Sequence, residues 1–195
     1  MPYDFEKDKN GEIKWYYTSK KCVAENPIKL EKTEDVYELT KKICYQFKYL
    51  IEEKGLWKSL YDDNGIPLNE NHSQMLFFGI ADSYCKANDI DISRENNNGN
   101  GPVDFKLSKG YYNKIVVEIK KSSNSQLSHC YEVQIPIYMK QEEVEKAIYL
   151  FIDLGDHDSR VKNFKNEMNK YKNTKIELIG IDGREKESAS KRKET

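Results

Sequence analysis

The sequence predicts an α/β domain in which a central mixed sheet of about five strands is flanked by helices and carries an N-terminal helical extension. Three observations predict it. Apolar residues recur at steps of three and four in two segments between residues 33 and 87, the spacing of amphipathic helices. Between residues 89 and 122, short alternating runs are separated by turns rich in Gly and Asn, the pattern of an antiparallel meander. Beyond residue 125 the order becomes helix, strand, helix, strand, which implies parallel pairing through right-handed crossovers.

Each element can be justified in order. The first thirty or so residues interleave Tyr, Trp and Lys around "EIKWYYTSKKCV" and read as a short hairpin or an irregular arm. From Thr33, a plausible N-cap, Val36, Leu39, Ile43, Phe47, Leu50 and Ile51 form a helical stripe, and Gly55 is its stop. "YDDNGIPLNE" is turn chemistry, and a second helix begins near Asn69 with the core stripe Leu76, Phe77, Ile80, Ala81 and Tyr84. "DIDISRE", "PVDFKLS" and "KIVVEIKKS" are the meander strands. "SQLSHCYEVQIPIYMKQ" is helical, with Pro136 expected to kink or shorten it. "KAIYLFIDLG" is a strand covered on both faces. "SRVKNFKNEMNKY" is a helix, "KIELIGIDG" the last strand, and "REKESASKRKET" a charged tail without apolar residues, expected to be disordered. The expected organisation is an arm and helical extension over residues 1–66, a principal domain over 67–183 and the tail over 184–195.

Composition narrows the function classes. The 195 residues suit one domain with a substantial core. Hydrophobic residues make up only 37%, yet they are clustered, and the 12% aromatic content argues against general disorder. No apolar run is long enough to span a bilayer and the N-terminus lacks the regions of a signal peptide, so a cytoplasmic location without membrane contact is expected. Cys22, Cys44, Cys85 and Cys130 are far apart with no metal-ligand spacing, which points to reduced, buried thiols. Lys and Arg number 32 against 33 Asp and Glu, so a constitutive tight nucleic-acid binder with a marked basic excess is not indicated. Contact with nucleic acid would have to come from a local basic patch, a metal bridging to phosphate, or a partner.

The meander carries the chemistry. On "KIVVEIKKS", Val116, Glu118 and Lys120 alternate onto one face and Ile115, Val117 and Ile119 onto the other. On "PVDFKLS", Val103, Phe105 and Leu107 take one face and Asp104 the opposite one. If the two strands pair, Asp104 sits close to Glu118. Two such carboxylates in a partly buried site repel each other, and a cation between them relieves the repulsion. Oxygen-only ligands select a hard ion such as Mg²⁺ or Mn²⁺. A lone Glu-x-Lys is ordinarily a surface ion pair on an amphipathic strand; here the Gly-Pro entry to the Asp strand and the β-branched flanks favour the functional reading.

At these residues the sequence resembles the PD-(D/E)XK, or restriction-endonuclease-like, nuclease superfamily. Pro102-Val103-Asp104 followed by Glu118-Ile119-Lys120 matches the motif, with one residue intervening between Pro and Asp. Glu70-Asn71-His72-Ser73-Gln74 fits the E-x-x-x-Q of the preceding helix, and Gln134 with Tyr138 forms the Q-x-x-x-Y of RecB-type members. The resemblance covers residues 69–182. It implies Mg²⁺, with Mn²⁺ able to substitute, held by Asp104, Glu118, Glu70 and the Ile119 carbonyl, with Lys120 assisting attack of water on a phosphodiester. Gln74, Gln134, Tyr138 and Lys121 would position the substrate. Nucleic acid is the implied partner, DNA ahead of RNA, in restriction, repair or antiviral defence. The modest size and near-neutral charge add the expectation of a fused or associated sensor or ATPase subunit, or of a homo-oligomer. The competing expectation is a non-catalytic module that keeps the fold to bind nucleic acid or another subunit.

Overall fold

The computed structural model describes residues 12–25, 35–97, 102–170 and 173–186. Its centre is a five-stranded sheet in the order β1 (Asp91–Asn97), β2 (Pro102–Lys109), β3 (Asn113–Lys121), β4 (Ala147–Asp153) and β5 (Ile176–Asp182). The first three strands pair antiparallel, and β3, β4 and β5 pair parallel. This is the predicted mixed sheet. Strand β4 is buried along its whole length, as its unbroken apolar run requires, because helices cover both of its faces.

One face packs against α2 (Val36–Glu53) and α3 (Glu70–Ala87). Phe47 and Phe77 meet edge to face, and Phe77 continues onto Phe105 of β2. The N-cap of α2 is Asp35, whose carboxylate accepts from the backbone N–H groups of Tyr37 and Glu38; Thr33 lies outside the described residues. Gly55, at φ 77°, follows the C-cap Lys54 and turns the chain out of the helix, a conformation that costs glycine little. Helix α3 begins where expected, and Asn69 is its N-cap, accepting from the N–H of His72.

The opposite face is covered by α4 (Leu127–His129), a π-helical turn (Cys130–Gln134), α5 (Ile135–Gln141) and α6 (Asp158–Lys170). The three former pieces form one continuous helical stretch. Pro136 has no N–H to give the carbonyl four residues back, and the turn ahead of it is widened so that the Ile135 N–H reaches the Cys130 carbonyl. The expected kink is therefore a π-bulge.

The arm predicted as a hairpin or irregular segment is instead a helix, α1 (Glu12–Glu25). Its Trp and Tyr residues have strand preference, and tertiary docking overrides it. Ser19 is completely buried in the stripe that faces α3, so a polar residue interrupts the apolar periodicity that would have revealed the helix. The two helices approach closely because α3 has Gly79 at the contact: a Cβ there would overlap the Ser19 side chain and lie 2.9 Å from the Tyr16 carbonyl oxygen. Lys20 adds an ion pair to buried Asp82 at 2.6 Å. Gly79→Val is thus expected to lower stability by about 1–3 kcal/mol through overpacking and to open α1 to protease; calorimetry with limited proteolysis checks this, and an unchanged digestion pattern would mean that α1 docks elsewhere.

Two further differences concern the sheet. Val103 packs with the α4–α5 side, whereas Phe105 and Leu107 pack with the α2–α3 side. The β2–β3 pairing ends at Phe105 opposite Val117, so the regular alternation expected for "PVDFKLS" is lost where Asp104 stands. The Asn- and Gly-rich turn at 98–101 lies outside the described residues. So does the tail from 187 onward; within 184–186, Arg184 Nη2 pairs with Asp153 Oδ2 at 3.0 Å and Lys186 donates to the Glu52 carbonyl. No helix among the described residues is long and apolar enough to cross a membrane.

Candidate active site

Alternation along β3 turns Glu118 and Lys120 to the face covered by α4–α5, and both are buried. The first turn of α3 approaches the same end of the strand. It brings Glu70, the first helical residue, and Gln74, one turn later, alongside them. Asp104, also buried, closes the group from β2.

These side chains meet around one atom. Lys120 Nζ lies 2.8 Å from Glu118 Oε1, 3.0 Å from Glu70 Oε1 and 3.6 Å from Asp104 Oδ2. It also donates to the Ile119 carbonyl at 3.3 Å. Asp104 is held separately by two donors: Gln74 Nε2 gives to Oδ1 at 2.9 Å, and the backbone N–H of Ile119 gives to Oδ2 at 2.8 Å. A carboxylate thus takes a backbone donor of β3 just beyond the point where paired register with β2 stops. The Asp104 N–H in turn donates to Glu118 Oε2 at 3.3 Å. Glu70 Oε2 accepts from the Lys121 N–H at 3.4 Å.

Burial first, and then the neighbouring Glu118, push the Asp104 carboxyl up to about 8, against the opposing pull of Lys120 and the Ile119 N–H. Burial alone would lower the Lys120 ammonium, but Asp104, Glu118 and Glu70 together hold it above its ordinary value. Lys120 is therefore a permanent cation at the centre of an acid-rich pocket.

The structure also sorts the remaining predicted residues. Gln74 is engaged with Asp104, which makes it a positioning residue for that carboxylate. Tyr138 is buried, and its hydroxyl is pushed up first by burial and then by the nearby Glu118. Gln134 is half-buried at the end of the π-helical turn. Lys121 is not brought into the group: it is buried on the other side of β3, where its ammonium donates to the Leu68 carbonyl. Cys130 was missed by sequence reasoning, yet its Sγ stands 3.7 Å from Glu118 Oε1. The helical stripe Leu127, Cys130, Tyr131 and Tyr138 would have shown that it faces the sheet.

The donor set can be tested for a cation. Among the described residues no three His, Cys, Asp or Glu side chains form a ready-made metal cage. However, the Glu70, Asp104 and Glu118 oxygens and the Ile119 carbonyl already share one positive charge, and all are hard oxygen donors. They suit Mg²⁺ or Mn²⁺ once the ammonium moves aside.

A family profile described as "Domain of unknown function (DUF8371)" matches residues 36–156, more than half of the chain and the whole of this carboxylate cluster. No curated protein and no solved structure matches the chain.

Proposed function

We propose that this chain, which belongs to the DUF8371 family, is a metal-dependent nuclease that hydrolyses phosphodiester bonds, in DNA ahead of RNA. The observation that carries the reading is the convergence of Glu70, Asp104, Glu118 and the Ile119 carbonyl on a single buried cation, the Lys120 ammonium. A structural ion pair needs one acid; Glu70 and Glu118 against one ammonium already leave an excess of negative charge, and a divalent ion would draw the Asp104 carboxyl into its charged form as a third ligand.

Glu70, Asp104, Glu118 and the Ile119 carbonyl would hold Mg²⁺, with Mn²⁺ able to substitute. When bound, the ion supplies Lewis-acid polarisation of a phosphoryl oxygen. Lys120, displaced from the centre but tethered to β3, keeps its charge and faces the negative charge that develops on the phosphate during attack by water. Its acidic neighbours favour the charged form of Lys120, which suits the role of a fixed cation beside the phosphate. Gln74 and the Ile119 N–H fix Asp104 in place. Val103, Val116 and Cys130 keep water off the inner side of the carboxylates.

The test is to incubate the protein with plasmid, linear DNA and RNA in Mg²⁺, Mn²⁺ or EDTA, beside Lys120→Ala. Metal-dependent cleavage lost in the variant is expected. Cleavage that ignores both chelator and substitution would reject the mechanism, and binding of metal and nucleic acid without cleavage would favour a non-catalytic module. Gln74→Ala should weaken metal affinity about tenfold to a hundredfold, as removal of a ligand's orienting partner does; titration calorimetry reads this directly, and unchanged affinity would show that Asp104 needs no amide to hold it.

A further inference from the structure

The groove between α4 and α6 lies outside the carboxylate cluster. Its volume is about 610 Å³, within the range of pockets that hold small polar ligands. Ser125, His129, Ser159, Arg160 and Asn163 line it, with Phe164 closing the floor. Glu167, also in the lining, is turned to the Ser128 hydroxyl.

Arg160 is the residue that gives this groove a direction. Its Nη1 donates to the carbonyls of Ser122 at 3.2 Å and Ser123 at 2.8 Å. Its donors at Nη2 and Nε make no bond to any described residue, so one edge of the guanidinium fork remains available, and that geometry matches a phosphate. Ser122 and Ser123 directly follow Lys121 at the end of β3. On the opposite wall, His129 directly precedes Cys130, whose thiol contacts Glu118. One wall, α4, thus runs into the helical turn that borders the carboxylate cluster, and the other, α6, is tied through Arg160 to the two residues that follow β3. An anion held by Arg160 would be placed by the same strand that places Lys120.

The geometry points to this groove as the seat of the nucleic-acid backbone flanking the cleaved bond, with Arg160 contacting a phosphate; the inference rests on the nuclease reading above. It also answers a question that composition raises. A chain with no net basic excess needs a specific local contact to hold a polyanion, and a guanidinium anchored on two backbone carbonyls is such a contact.

Fluorescence anisotropy in EDTA, with labelled single-stranded and duplex DNA, measures binding without cleavage; kinetics in Mg²⁺ complete the test. Arg160→Ala is expected to weaken binding about tenfold, the loss of one charge-assisted hydrogen-bonding group. It should also reduce the slope of log affinity against log salt by about one and raise KM for DNA by about the same factor as the loss of affinity. Asn163→Asp, an exposed change that puts a negative charge in the groove without touching Ser122 or Ser123, should weaken binding in the same way and guards against a folding defect in the arginine variant. If wild type binds and both variants match it in affinity and salt slope, the groove is not on the DNA path and only this assignment falls. A drop in kcat with unchanged affinity would also overturn it, making Arg160 a brace for β3. If wild type neither binds nucleic acid in EDTA nor cleaves it in Mg²⁺ or Mn²⁺, the nuclease reading itself falls.

Discussion

Lys120→Ala is expected to lower the midpoint of thermal unfolding in EDTA by about 10 °C, and Mg²⁺ or Mn²⁺ is expected to recover most of that loss while cleavage stays abolished. Among the described residues, the Lys120 ammonium is the only side-chain cation within ion-pair distance of Glu70, Asp104 and Glu118. Removing one partner from a buried charge group costs about 3–5 kcal/mol, because the charges left behind remain desolvated. For a chain of this length each kcal/mol shifts the midpoint by about 2–4 °C. Lys120→Met keeps the apolar stem and should behave alike, which separates charge from packing. Metal affinity should rise in both variants, since the ion no longer competes with an ammonium for its seat. Differential scanning fluorimetry with and without metal measures all of this. A lysine variant that melts with wild type in EDTA would show that the ammonium is not seated among the three acids.

The second large effect is a pH dependence of the metal-free protein. Asp104 has its carboxyl raised to about 8 by burial and by Glu118, whereas in the unfolded chain it titrates at about 3.9. Between those values the folded state binds one proton more than the unfolded state, so stability falls as pH rises. The contribution is fully present below about pH 4, declines through neutrality and is gone once pH passes the folded value near 8. A decline of a few kcal/mol is expected in EDTA between about pH 5 and about pH 9. Asp104→Asn, which cannot ionise, should flatten the curve and be more stable than wild type at the alkaline end. The Gln74 amide can turn to accept from the new asparagine. Denaturant melts across this range provide the measurement; a wild-type curve that rises with pH would contradict a buried, proton-holding Asp104.

Much of this architecture can be read from the chain because local pattern and tertiary environment agree. The stripe Val36, Leu39, Ile43, Phe47 predicts α2, and the fully apolar "AIYLFID" predicts a doubly covered strand, since burial of those residues is the only demand on them. Glu70, Asp104, Glu118 and Lys120 could be nominated for the opposite reason: charged residues on elements that must pack have to meet something. What stayed hidden has a physical cause in each case. Helix α1 carries Ser19 and strand-favouring aromatics on the face that docks at Gly79, so neither periodicity nor propensity betrays it. The departure of β2 from β3 at Asp104 depends on a side chain capturing the Ile119 N–H, which no alternation rule contains. Lys121 looks equivalent to Lys120 in sequence, yet the strand period sends it to the Leu68 carbonyl on the far side.

The widened turn at Cys130–Gln134 has a bearing on descent. It amounts to one residue more than an ordinary helix between the same ends would hold. Excising a single residue there would restore an ordinary turn between the same ends, whereas excising one from the regular helix of α5 would rotate everything upstream by about 100° about the axis, carrying Cys130 away from Glu118 and His129 out of the groove wall. A one-residue gap within the bulge of a homologous sequence would therefore leave the acid pocket walled as it is here, whereas the same gap in α5 would mark a protein whose pocket is walled differently, even if its Asp, Glu and Lys were all retained.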